Sequence, residues 1–259
     1  MSVERVLDRG LQRDPLSLSS DWNGTLVITA LLEWEAVTGE KKYGDFAAAW
    51  FERHAERDPQ MTDEEFYATY SGVGCEVIRE GPIPFSAYCG HFGIVYPCER
   101  LAEKLGSGPV EAADAIASYI LNRAQRSEHG CVYHDPKTKI LIPDACYYIA
   151  PVLAIAAKLT NNGAYMQEAA FQLRTYCELM QDPETGLAFT LWRNGEMPRR
   201  FWTRATGWLG GVRHAIGLLL IGSVAWLVTK ALHVAEGLTF SRLPPQVVAL
   251  TGITTAMVT

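Results

Sequence analysis

The chain has 259 residues, of which 48% are hydrophobic and 20% charged, a composition typical of a globular protein with a large core. Its formal net charge of −6 excludes the basic surface that nucleic-acid binding requires, so an anionic ligand would need a local cation. The six cysteines lack CxxC or zinc-finger spacing, which indicates buried thiols in a reducing compartment. The charged N-terminus lacks the apolar core of a secretion signal, so a cytoplasmic location is expected.

Apolar residues at helical spacing follow one another along most of the chain, whereas strict two-residue alternation is nearly missing. This pattern predicts an all-α fold with few strands. The predicted helices occupy residues 24–40, 41–58, 89–108, 109–127, 144–163 and 164–182, with a further pair beginning at 202. The apolar segment 215–228 is shorter than the roughly 18 residues that span a bilayer, so a buried core helix and no membrane contact are expected.

A loose repeat is visible where apolar helices end in turns that contain Gly39, Gly108 and Gly163. A more polar, alanine-rich helix follows each turn, and the repeat of about 50 to 70 residues indicates two-helix units. Apolar inner helices that alternate with amphipathic outer helices fit a helical toroid. The alternative is an α-solenoid, whose repeats are shorter. In a toroid we expect the loops to gather at one end; these loops are 72–84, 127–143 and 181–201.

Asp144 stands at the head of the apolar run IPDACYYIAPVLA, which covers residues 142–154. An Asp at this position is often a helix N-cap that binds free backbone amides. The same carboxyl is also suited to general acid–base catalysis. The position alone leaves both interpretations open.

The sequence resembles the unsaturated uronyl hydrolases of glycoside hydrolase families 88 and 105, which include unsaturated rhamnogalacturonyl and glucuronyl hydrolases. The similarity extends from about Asp21 to about Leu220. Three motifs carry it: the Asp before the apolar helix at 144, the Trp-x-Arg-x-x-Gly-Trp at 202–208, and the Asp-Pro-x-Thr-Gly-Leu at 182–187. Their order and spacing are more specific than any one of them.

The resemblance implies an (α/α)6 toroid with a binding site at one end and no metal or other cofactor. It also implies that the enzyme hydrates the C4=C5 double bond that a lyase leaves on a uronic acid of pectin or a related polymer. One Asp gives a proton to C4 and assists the water that attacks C5, after which the hemiketal opens and releases the neighbouring sugar. That Asp corresponds to Asp144.

Further site residues follow from the same resemblance. Arg204 is expected to bind the substrate carboxylate, because guanidinium binds carboxylate in a bidentate manner; the alternative is a surface ion pair. Trp202 and Trp208 are expected to stack on sugar rings, with core packing as the alternative. His134 corresponds to a histidine that lines the site. Substrate binding is also expected of Trp22, at the start of the first helix, and of Tyr88 and His91.

Two positions depart from the family pattern. Family members usually have a second important Asp where this chain has Tyr88, with His91 close behind, and often a His where it has Thr190. Both changes leave open an inactive or sugar-binding remnant, or another uronyl substrate. A third interpretation, a toroidal sugar epimerase, would need paired histidines that the sequence lacks.

Length is the third departure, since about four hairpins are recognisable where a complete toroid has six. We therefore expect an incomplete toroid over residues 1–220 and a divergent tail over 221–259. An open toroid would expose apolar inner surface, which favours self-association.

Overall fold

Helices dominate the chain, as the sequence predicts. A computed structural model of the protein describes residues 3–57, 60–67, 74–203, 205–207 and 209. Within these residues no helix is long and apolar enough to cross a bilayer. Two 3-10 helices, Pro15–Ser17 and Cys89–Val95, accompany eight α-helices in the described ranges. The α-helices are α1 (Val3–Gly10), α2 (Trp22–Thr38), α3 (Lys42–Ala55), α4 (Asp63–Tyr67), α5 (Cys98–Leu105), α6 (Ser107–Asn122), α7 (Pro143–Thr160) and α8 (Gly163–Met180).

Strands are few and short, which confirms the prediction from the missing alternation. In the described part of the chain, four two-residue strands form two antiparallel pairs. Strand β1 (Val77–Ile78) pairs with β2 (Phe85–Ser86), and β3 (Ile140–Leu141) pairs with β4 (Trp192–Arg193). The second pair joins the loop before α7 to the loop after α8, so these two loops meet at the same end of their helices.

The helices form hairpins with an inner and an outer layer. Helices α7 and α8 both have 18 residues, but ten residues of α7 are buried and only five of α8. Helix α2, the 3-10 helix Cys89–Val95 and α7 lie side by side, and α3, α6 and α8 pack behind them. This arrangement confirms the predicted all-α fold of toroid type. Three predictions concern residues that lie wholly or mostly outside the described ranges: the fourth hairpin, the apolar segment 215–228 and the domain boundary at 220/221.

The prediction of which glycines form the turns between helices is only partly correct. Helix α2 ends at Gly39, which has a φ of 74° and the left-handed conformation expected of a helix end. Gly108 and Gly163, however, are the second residue of α6 and the first of α8. The residues with positive φ in these turns are Gly106 and Asn161. Asn tolerates the left-handed conformation better than most residues, which explains why the glycine rule misplaced this turn.

The single helix predicted over 89–108 is also wrong. The chain forms the 3-10 helix Cys89–Val95, and α5 then begins at Cys98 with Pro97 as its N-cap. Proline has no amide hydrogen to continue the helical hydrogen bonds, so the tighter 3-10 helix and α5 are separate elements. The break leaves Tyr88, the N-cap residue of the 3-10 helix, in extended backbone conformation.

Helix α7 continues through Pro151, and a neighbouring side chain compensates for it. A proline at 151 cannot donate a hydrogen bond to the carbonyl of Tyr147 one turn earlier. The hydroxyl of Tyr96 donates to that carbonyl instead, at 2.5 Å. The rings of Tyr96 and Tyr147 also stack, with centroids 5.1 Å apart and planes 24° apart. These contacts hold the inner helix α7 against the end of the 3-10 helix.

An apolar groove lies between α1 and α2, and none of the residues that line it is a predicted site residue. Its volume is about 590 Å³. Its lining includes Val6, Leu26 and Val27, whose side chains are exposed in the structure. The groove is compatible with the predicted self-association, which stays a prediction.

The bond from Tyr96 to Tyr147 can be tested by a paired substitution. Tyr96→Phe removes the hydroxyl that donates to this part-buried carbonyl, and we expect the free energy of unfolding to fall by about 1–3 kcal/mol. Pro151→Ala supplies the missing amide hydrogen, so the double variant should recover most of that loss. Urea unfolding measures both values. A double variant as unstable as Tyr96→Phe would contradict this account of the helix.

Candidate active site

Backbone hydrogen bonds bring the loop before α7 against the segment that carries Tyr88. The amide of Cys89 donates to the carbonyl of His134 at 3.2 Å, and the amide of His134 donates to the carbonyl of Ile140 at 2.9 Å. The rings of Tyr88 and His134 consequently meet edge to face, with centroids 5.1 Å apart. Two of the residues predicted from the sequence are therefore direct neighbours.

Asp144 lies inside the first turn of α7 and is not its N-cap. The helix begins at Pro143, and its N-cap residue Ile142 makes no capping hydrogen bond. The interpretation of Asp144 as a cap is therefore wrong, because Pro143 moves the helix start one residue earlier than predicted. A carboxylate in the first turn still interacts favourably with the helix dipole. The residue as a whole is half-buried, and its Oδ1 atom is buried.

Tyr88 lies among negatively charged groups. Burial, together with the charges of neighbours that include Asp21 and Asp144, raises the pKa of its phenol. The same causes, burial first and then neighbours that include Asp144 and Tyr88, raise the pKa of Tyr148. Both phenols are protonated at neutral pH and can act as neutral hydrogen-bond donors beside Asp144.

His134 presents a neutral imidazole to this cluster. Burial lowers its pKa to about 4, and the charge of Asp135 opposes that effect. Its Nδ1 atom is buried and has no hydrogen-bond partner among the described residues. A neutral ring with one unused nitrogen is suited to binding a sugar hydroxyl.

His91 lies behind Tyr88, with only 1% of its surface exposed. Its Nδ1 accepts a hydrogen bond from the amide of Ser86 at 2.8 Å, so the proton of the neutral ring is on Nε2. Burial lowers the pKa of His91 to about 4, and the charge of Asp21 opposes this shift. The position favours a role in supporting Tyr88 over direct contact with a ligand, and its predicted part in substrate binding stays a prediction.

Trp22 reaches the same cluster from the first turn of α2. It is the first residue of that helix and is half-buried. A Cβ atom on Gly90 would overlap the ring of Tyr88 and lie 2.9 Å from Cδ1 of Trp22. The two rings therefore approach Gly90 together, and a side chain at position 90 would separate them.

A second group of predicted residues lies along the loop after α8. The amide of Thr190 donates to the carbonyl of Arg200 at 2.9 Å, and the amide of Trp202 donates to Ala188 at 3.2 Å. Strand β4 of this loop pairs with β3, which leads into α7 and Asp144. Arg204 and Trp208 lie outside the described residues, so their predicted roles stay predictions.

Sequence reasoning missed two members of the cluster. Asp21 is 3% exposed, and Tyr148 is 7% exposed. The signal for Asp21 was present, since an Asp that precedes a helical run is a typical N-cap. The signal for Tyr148 was not, because an aromatic residue in an apolar helix is most often part of the core. In the described ranges no three His, Cys, Asp or Glu side chains are placed to hold a metal ion, and the absence of a cofactor remains an expectation.

Comparison with known families identifies the family to which the chain belongs. The sequence model of Glycosyl Hydrolase Family 88 matches residues 5–216. The chain belongs to that family. No curated protein matches it.

Solved structures show the same fold at low sequence identity. A family 105 glycoside hydrolase from C. acetobutylicum ATCC 824 superposes with a TM-score of 0.62 and 15% identity, over 99% of this chain and 65% of its own. A possible member of the GH105 family from Salmonella enterica serovar Paratyphi A has a TM-score of 0.56 and 17% identity; the match covers 92% of this chain and 54% of that one. A possible member of the same family from Klebsiella pneumoniae has a TM-score of 0.55 and 16% identity, and the match covers 93% of this chain and 55% of that one. This family 88 chain thus spans between 54% and 65% of the lengths of these structures.

The buried histidines predict loss of stability in acid. Burial lowers the pKa of His54, His91 and His134 from the usual 6.5 to about 4. Between these values the unfolded chain binds more protons than the folded chain, so stability should fall as the pH drops from about 6.5 to about 4. Thermal unfolding across this range measures the effect.

His91→Gln is the matched variant for this test, because Gln can keep the bond to Ser86 but does not titrate. Its melting temperature should change less with pH than that of the parent. Equal slopes for the two proteins would contradict the assignment of a buried neutral His91.

Proposed function

We propose that this chain is a glycoside hydrolase that releases an unsaturated uronic acid from lyase-generated oligosaccharides by hydration of the C4=C5 double bond. Membership of family 88 supports the enzyme class. One observation carries the finer proposal. The carboxyl of Asp144, a half-buried residue in the first turn of an inner helix, lies within electrostatic reach of the protonated phenols of Tyr88 and Tyr148.

In the proposed reaction Asp144 acts first as an acid and then as a base. Its carboxyl proton goes to C4, and the carboxylate formed takes a proton from the water whose oxygen bonds to C5. The C4=C5 double bond is consumed, and C5 becomes a hemiketal. Opening of the hemiketal breaks the C5–O5 bond and leaves a ketone at C5 and a hemiacetal at C1. Collapse of the hemiacetal to an aldehyde breaks the C1–O bond, and its hydroxyl proton goes to the glycosidic oxygen of the released sugar, so the sum is the addition of one water.

The neighbours of Asp144 have complementary roles in this proposal. The neutral ring of His134 and the phenol of Tyr88 bind sugar hydroxyls or the attacking water. Trp22 and Trp202 supply aromatic faces for the sugar ring. The carboxylates near Tyr88 would repel the substrate anion, and we therefore assign its binding to Arg204.

Asp144→Asn tests the catalytic role most simply. Asn cannot transfer a proton, and general acid–base catalysis typically contributes about 10²- to 10⁴-fold in rate. We expect kcat to fall at least that far while the unsaturated disaccharide still binds. Loss of the ultraviolet absorbance of the conjugated double bond measures turnover on lyase-digested pectin and glycosaminoglycan.

The matched control is Asp45→Asn, which removes an acidic residue from the first turn of α3. Each change removes a favourable charge–dipole interaction of about 0.3–1 kcal/mol, so both variants should have similar small losses of stability. The control should keep parent turnover. Near-parent turnover of Asp144→Asn would instead refute the assigned role.

Substitution of Arg204 tests how the substrate carboxylate is bound. Arg204→Lys keeps the charge but loses the planar fork, so it should raise KM, and Arg204→Ala should raise it further. Arg123→Lys, which changes an exposed ion pair with Glu76 and Glu80, is the control and should leave KM unchanged. Calorimetry with the unsaturated disaccharide measures the affinity itself, which KM alone does not give. Parent affinity in both Arg204 variants would contradict the assignment.

A non-catalytic sugar-binding protein is the second candidate. The phenol at Tyr88, in place of the expected Asp, favours it. A parent protein that binds unsaturated uronides but leaves the double bond intact would support this candidate over the enzyme.

A further inference from the structure

Asp21 is a buried carboxylate beside the candidate active site, and the proposed mechanism does not use it. One of its oxygens accepts hydrogen bonds from the amide of Asn23 at 3.0 Å and from the hydroxyl of Ser19 at 2.6 Å. These bonds make it the N-cap of α2 and fix its side chain. Only 3% of its surface is exposed, although a carboxylate is costly to bury.

The first turn of α2 packs closely on the segment that carries Tyr88. A Cβ atom on Gly93 would lie 2.9 Å from Oγ1 of Thr25 and 3.5 Å from Cα of Trp22. On Gly90 it would meet the rings of both Tyr88 and Trp22. Glycine at both positions therefore permits the approach, which places the backbone next to Asp21 against the Tyr88 segment.

The charge of Asp21 acts on both side chains of that segment. It opposes the effect of burial on the pKa of His91, and it adds to the effect of burial on the pKa of Tyr88. In both cases the negative charge favours the protonated form of its neighbour. A tyrosine is already protonated at neutral pH, so the charge of Asp21 reinforces the neutral state of Tyr88 and does not create it.

From the resemblance to the uronyl hydrolases we expect a carboxylate at position 88, where this chain has a phenol. We propose that Asp21 supplies that negative charge from the N-terminus of α2 and acts through Tyr88, as a positioning residue for the reaction at Asp144. This inference rests on the proposed function. It makes Asp21 and Tyr88 a pair that together replace a single Asp.

The pairing has a consequence that a purely structural N-cap does not have. A carboxylate at position 88 would be close to the charge of Asp21, and two like charges at one site disfavour each other. Tyr88→Asp should therefore be harmful while Asp21 is present. Once Asp21 is neutral, the same substitution should be tolerated.

Three variants test this: Asp21→Asn, Tyr88→Asp and the double variant. Asn caps a helix about as well as Asp, so Asp21→Asn removes the charge and keeps the cap. We expect it to lower kcat about 10- to 100-fold, the usual cost of losing a group that orients a reacting side chain, with KM within about threefold of the parent. Asp14→Asn, an N-cap substitution at the first 3-10 helix, is the control and should match the parent.

The double variant decides between pairing and independent roles. If the residues act as a pair, the double variant should have at least about tenfold higher kcat and a higher melting temperature than Tyr88→Asp alone, because only one of the two like charges remains. Parent kcat in Asp21→Asn, or losses that simply multiply in the double variant, would overturn the inference.

Melting temperatures do not depend on turnover, so they test the pairing of Asp21 and Tyr88 separately from the proposed function. A parent protein without turnover on any unsaturated uronide would refute the proposed reaction. The melting temperatures of the same variants would still show whether Asp21 and Tyr88 are coupled: recovery in the double variant supports the pairing, and additive losses refute it.

Discussion

The hydrogen bond from the Cys89 amide to the His134 carbonyl links two loops that are 45 residues apart in the chain (134 − 89). Tyr88 and His134 lie in loops of different hairpins, and this bond holds the two loops together. The rings of the two residues meet, and the strand pair β3–β4 joins the loop before α7 to the loop after α8. The rigid hairpins hold these loops in place, and the loops carry the side chains suited to chemistry, a usual division of roles in enzymes.

The surroundings of Asp144 differ from those expected of a site with two carboxylates. The second position is a phenol whose pKa burial and negative neighbours raise further above neutral pH, and burial lowers the pKa of the nearby histidines so that they are neutral. A neutral donor can hold a hydroxyl or a water without competing for the proton that we propose Asp144 transfers. In this proposal only Asp144 moves protons, whereas two adjacent carboxylates would share a proton.

The sequence predicted the all-α hairpin architecture well because helical periodicity and helix ends are local signals, as at Gly39. It failed where backbone conformation or packing outweighed helical periodicity and the expected turn glycine. The turn at Asn161, the break at Pro97 and the hydroxyl of Tyr96 that compensates for Pro151 all depend on backbone or packing context. At the site, motif order pointed to Asp144, Tyr88 and His134, and the structure brings the last two into contact, while their roles stay predictions. Asp21 could be recognised only once α2 was packed against the Tyr88 segment, since its sequence signal was that of an ordinary cap.

The central claim is that Asp144 delivers a proton to C4 of an unsaturated uronide. Turnover in deuterium oxide tests it directly, with mass spectrometry and NMR of the released uronic acid. Hydration predicts one deuterium bonded to carbon at C4, loss of the double bond, and none of this product with Asp144→Asn. Direct displacement at the glycosidic carbon would release a uronide that keeps its C4=C5 double bond and carries no deuterium at C4, and that result would contradict the account.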